Sequence, residues 1–101
     1  MFVAILRVEL HFPESASLKA KRSDLNSVKA HLRQRHGASV AEVDHHDSWQ
    51  RSTVAVAVVG RTAGETSERA DGVGRYLDAR LEGAARVERR LASWPDLESI
   101  G

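Results

Sequence analysis

The chain opens on strict alternation. Phe2, Ala4, Leu6, Val8, Leu10 and Phe12 share one side, and Arg7, Glu9 and His11 share the other. A period of two is a strand with one buried face. Pro13 follows, lacks an amide donor and should stop the pairing. Ser15 and Ser17 then offer N-caps. From Leu18 the rhythm changes. Leu18, Leu25, Val28 and Leu32 fall within an arc of roughly 80° at 100° per residue, which predicts an amphipathic helix. His36-Gly37 closes it, with Gly37 suited to a left-handed cap.

Residues 38–45 and 51–60 read as two β-branched strands around a short polar connection, a hairpin by position. Val54, Val56 and Val58 face one way, and Ala55, Ala57 and Val59 the other, so this strand is expected to be central. Thr62 and Glu65 make a T-x-x-E capping box, and Ala63, Ala70, Val73, Leu77 and Leu81 mark the inner stripe of a second helix. Gly72 and Gly74 interrupt it and predict a bend or a close helix contact. Gly83 ends it. Ala85, Val87, Arg89 and Leu91 alternate with Arg86, Glu88 and Arg90 as a fourth strand. The tail "ASWPDLESIG" has no clear period, so residues 1–92 are expected to form a single domain and 93–101 a loosely ordered tail.

The order βαββαβ, with short connections and right-handed crossovers, predicts an α+β, ferredoxin-like sandwich. Its four-stranded antiparallel sheet carries both helices on one face, leaving Val3, Ile5 and one side of the third strand on the other.

Composition narrows the chemistry. With 101 residues, 42% apolar and 29% charged, the chain suits one soluble core. It has no cysteine, which removes disulfides, thiolate metal sites and a cysteine nucleophile and fits a reducing cytoplasm. No apolar run approaches the ~20 residues of a bilayer span, so no membrane association is expected. The charged N-terminal segment does not read as a signal peptide.

The net charge of +1 is unevenly placed: residues 17–36 carry +5 and residues 62–82 carry −2. On the first helix Lys19, Arg22, Lys29 and Arg33 lie along one flank of the apolar arc, a stripe able to track phosphates. Lys21 falls inside the apolar arc. Snorkelling past the sheet edge is the expectation, and a bond to a carboxylate or anion near the helix start is the alternative.

The segment Asp44-His45-His46-Asp47 invites a metal reading. Adjacent residues of a strand point to opposite faces, and Zn²⁺ wants three or four ligands, so no metal site is assigned. Ser48, His46 and Asp44 lack the nucleophile elbow and oxyanion loop of a catalytic triad, so no catalytic residue is assigned. "GVG" at 72–74 lies within a helix and is not a dinucleotide fingerprint, so no cofactor is expected. Trp49 reads as a lid over the core edge or as an exposed binding aromatic, and Arg51 as a partner for Asp44 or Asp47.

Two blocks carry a family resemblance. "LRVELHFPESASLKAKR" and "SVAEVDHHDSWQRSTVAVAVV" are similar to the two signature segments of the YlxP-like family of small bacterial proteins of unknown function. The matched polar positions are Ser17, Lys19, Lys21, Arg22, Glu42, Asp44, Asp47, Trp49, Gln50 and Arg51. His46 stands where the family frequently has glutamine or asparagine. The resemblance implies a ferredoxin-like fold and, from the genes that commonly neighbour the family, a role near ribosomal or other RNA. It implies no catalytic residue.

Three functions follow as expectations. The first is a non-enzymatic accessory factor that meets RNA through Lys19, Arg22, Lys29 and Arg33. The second is a homo-oligomer formed through the open sheet face. The third is a protein that binds or acts on a small acidic or phosphorylated molecule, using Lys21, Asp44, His45 and His46, with Asp47, Trp49 and Arg51 nearby.

Overall fold

The computed structural model describes residues 1–99. Its elements run β1 (Phe2–His11), α1 (Leu18–His36), β2 (Ser39–Asp44), β3 (Arg51–Gly60), α2 (Ala63–Leu81), β4 (Ala85–Ser93) and α3 (Trp94–Glu98). The strands form one antiparallel sheet in the order β2-β3-β1-β4. Strand β3 is therefore central, as its doubly apolar pattern requires. The βαββαβ core with both helices on one face is the ferredoxin-like sandwich.

Pairing of β1 with β3 runs without a slip from Phe2↔Gly60 to His11↔Arg51. That register sets Leu6 beside Val56 and Val8 beside Val54 under the helices. Leu25, Val28 and Leu32 of α1 and Ala70, Val73 and Leu77 of α2 close this core. The opposite face keeps Ile5 and Val59 about half exposed, at 49% and 59%. β2 pairs with β3 from Ser39↔Ala57 and shifts register between Glu42 and Asp44, a bulge after which Asp44 pairs with Thr53.

The helix ends obey local chemistry. The Ser17 hydroxyl accepts from the Ala20 amide at 3.0 Å, and Gly37 takes φ 61°. Thr62 caps α2 by accepting from the Glu65 amide at 3.1 Å. The inner stripe of α2 starts one turn later than the apolar pattern indicates: Ala63 is exposed and Thr66 is fully buried in its place. The close approach of Gly60 accounts for this. A β-carbon there would sit 2.2 Å from Thr66 Oγ1, so the glycine lets the end of β3 touch the first turn of α2. At Gly72 the helices do meet, since a β-carbon would lie 3.5 Å from His36 Nδ1; Gly74 has open space.

Beyond β4 a short helix, α3, forms where the sequence has no periodicity. Ser93 accepts from the Asp96 amide while Asp96 accepts from the Ser93 amide at 2.8 Å, a complete capping box with Pro95 in the first turn. Ile100 and Gly101 of the expected tail lie outside the described residues.

Candidate functional site

The β2–β3 turn and the start of α1 meet in a polar cluster. Lys21 is 0% exposed, and this corrects the snorkelling expectation. Its Nζ donates to Glu42 Oε2 at 2.7 Å and to the His45 carbonyl at 2.9 Å. The Ser52 hydroxyl donates to the same Glu42 oxygen at 2.5 Å, and His46 Nδ1 lies 2.8 Å from the other. Burial pushes the Glu42 carboxyl up. The hydrogen bonds from Lys21, Ser52 and His46, with the Lys21 charge, outweigh it and hold the group at about 2. The arrangement is saturated: each oxygen of Glu42 is engaged, and Lys21 has no exposed surface through which to meet a substrate.

The two histidines part company. His46 turns onto Glu42, whereas His45 adopts φ 63°, a left-handed conformation unusual for a non-glycine residue. Two bonds hold it there. Asp44 Oδ1 accepts from the His45 amide at 2.7 Å, and buried Lys21 holds the His45 carbonyl. Among the described residues no group of three histidine or carboxylate side chains is placed to hold a metal.

Other matched positions are architectural. The Gln50 side chain donates to the carbonyls of Pro13 and Ser15, and the Gln50 backbone carbonyl accepts from the Phe12 amide at 2.8 Å. Trp49 is 56% exposed and does not cover the core edge. Arg51 forms no ion pair with Asp44 or Asp47; its amide donates to Ser48 Oγ, and its side chain lines a cavity.

That cavity, of about 610 Å³, lies at the end of the open sheet face where β1 finishes and β3 and β4 begin. Its chemistry-bearing walls are Arg7, Glu9, His11, His45, Arg51 and Arg86. Arg7 and Arg86 were missed because they belong to two separate stretches of ordinary alternation, in β1 and β4. Only the register, which sets Glu9 opposite Arg86 and His11 opposite Arg51, brings them together.

The basic flank of α1 is a separate surface. Lys19 and Arg22 are exposed and Lys29 half-buried, and none of these or Arg33 lies within 4 Å of a carboxylate among the described residues. Arg33 is partly committed: its Nη2 donates to the Val40 carbonyl of β2 at 2.9 Å. The other flank of α1 faces α2, where the rings of His31 and Tyr76 stack with centroids 3.7 Å apart.

The chain belongs to the family described as "Protein of unknown function (DUF503)", whose profile matches residues 3–91. It is 26% identical over 66 residues to the uncharacterized protein YlxP of Bacillus subtilis (strain 168), an alignment covering 65% of this chain and 72% of that one. Among solved structures it resembles the de novo designed protein Foldit4, with TM-score 0.54, 12% identity, and 91% and 96% of the two chains covered. It also resembles a phage SAM lyase in its apo state, with TM-score 0.50, 16% identity, and 89% and 79% covered. At these identities the two structures speak to fold alone.

Proposed function

We propose that this protein is a non-enzymatic accessory factor that binds RNA through the exposed flank of α1. The observation that carries this reading is the row Lys19, Arg22, Lys29 and Arg33 on one side of a single helix with no neutralising carboxylate within 4 Å among the described residues. Their azimuths span roughly 80° of the helix at 100° per residue, so four cations share one surface. Such a row displaces counterions from a phosphate backbone. The sheet lacks the paired aromatics of base-stacking RNA modules, so recognition is electrostatic and follows shape.

A filter-binding titration with ribosomal RNA tests this. Affinity should fall with added salt, and Arg22→Ala with Lys29→Ala should lower the logarithmic salt slope by about 0.7 per cation removed. Absence of binding at low salt, or salt-indifferent affinity, rejects the reading.

A second reading is self-association through the open face. Ile5, Ala41, Ala55 and Ala57 line a shallow hollow of about 270 Å³, with exposed Val59 nearby. A second copy would cover this apolar surface isologously. Light scattering at micromolar concentration tests it, and a monomeric mass rejects it.

A further inference from the structure

We infer that the cavity at the end of the open sheet face is a phosphate-binding site, with the guanidinium groups of Arg7, Arg51 and Arg86 as its ligands. It is independent of the α1 surface, because the helices cover the opposite face of the sheet.

The charge balance comes first. Three guanidiniums line the cavity against one carboxylate, Glu9. That carboxylate is already engaged: Oε2 accepts from the Thr53 hydroxyl at 2.7 Å, and Oε1 lies 3.5 Å from Arg7 Nε. Glu9 therefore braces Arg7 from its Nε side and leaves the terminal nitrogens for another acceptor. Arg51 and Arg86 have no carboxylate within 4 Å among the described residues, although Glu9 stands opposite Arg86 in the β1–β4 register. Guanidiniums gathered from three adjacent strands repel one another unless an anion joins them, and their forked donors match phosphate oxygens.

The walls are also held in place. His11 donates its amide to the Ala84 carbonyl at 3.0 Å, tying the end of β1 to the loop before β4. His45, on the far wall, is fixed in its left-handed conformation by Asp44 and by the buried Lys21 ammonium. A non-glycine residue kept in that conformation by a fully buried lysine is a costly arrangement whose visible product is an imidazole at the cavity's edge. The volume suits a ligand the size of a mononucleotide, within the range of about 300–1,000 Å³ usual for small-molecule sites. Strands rather than loops carry all three arginines, so the sheet fixes where their side chains begin.

The shared chemistry is a phosphate group, which a free nucleotide or an RNA strand supplies equally well. Calorimetric titration of the full chain at low salt distinguishes them. The probes are inorganic pyrophosphate, guanosine 5′-monophosphate, and a short oligoribonucleotide with and without its 5′-phosphate. Saturable binding of pyrophosphate is expected, weakened about tenfold or more by R51Q with R86Q and unchanged by Lys29→Ala on α1. Equal or tighter binding of the mononucleotide identifies a free nucleotide as the source. Preference for the 5′-phosphorylated oligomer over its dephosphorylated twin identifies an RNA end, and arginine-dependent binding of both identifies the strand's backbone. Should the double variant unfold, Arg86→Gln alone is read in its place. No saturable binding of any probe, or binding that survives the arginine substitutions, overturns the site. Loss of RNA binding in the α1 variant with pyrophosphate binding intact separates the two surfaces.

Discussion

The Lys21 ammonium and the Glu42 carboxylate meet 2.7 Å apart inside the protein, joining the first turn of α1 to the end of edge strand β2. Twenty-one positions separate them in the chain. The pair links the two blocks that carry the family resemblance, and through the His45 carbonyl Lys21 also holds the turn between β2 and β3.

Breaking this pair from one side should be expensive. Lys21→Met leaves Glu42 without its main partner and is expected to cost about 3–5 kcal/mol in urea denaturation. Adding Glu42→Leu should recover much of the loss, because the stranded carboxylate is then gone. A single variant within about 1 kcal/mol of the native protein would show that the pair is dispensable.

The same carboxylate predicts an acid limb. Glu42 titrates near 2 in the fold against an ordinary 4.5, so the unfolded chain binds the proton more readily. Its contribution is complete above the ordinary value and is lost as pH falls through the folded one, on the order of 3 kcal/mol in total. Glu42→Gln should therefore flatten the stability profile between those values. An unchanged slope across that window contradicts the assignment.

His36 predicts a gentler dependence near neutrality. Burial lowers its pKa, reinforced by the neighbouring positive charges of His31, Arg69 and Arg75. The unfolded state then binds protons more readily, so stability rises with pH as the group loses its proton below the usual histidine midpoint. The His36 ring proton should titrate below 6.5 by NMR, and His36→Asn should remove that share of the slope. A midpoint at or above the ordinary value would refute the prediction.

Gly60→Ala tests the contact between β3 and α2. The added methyl group would meet Thr66 Oγ1 at 2.2 Å, so a loss of about 1–3 kcal/mol is expected. Thr66→Ala in the same chain deletes the obstructing oxygen and should restore part of it, as read by thermal unfolding. No rescue would place the strain elsewhere.

The rhythm of apolar positions was sufficient to read the four strands, the two long helices and their arrangement. Burial face is a local property: period two makes a strand side and period 3.6 a helix stripe, as Val54, Val56 and Val58 or Leu25, Val28 and Leu32 show. Caps at Ser17 and Thr62 were equally legible, being contacts over three residues. The Ser93 cap of α3 carried the same kind of S-x-x-D signal, hidden by the absence of any periodic stripe behind it.

Tertiary structure alone decided where the charges act. Lys21 looked like a misplaced cation until β2 brought Glu42 to it, and Thr66 became core because Gly60 approaches it. Arg7, Arg51 and Arg86 come from three separate segments and converge only through strand order and register. Apolar burial leaves its record in neighbours along the chain, whereas a pairing of charges depends on residues far apart in sequence and close in space, which no local period records.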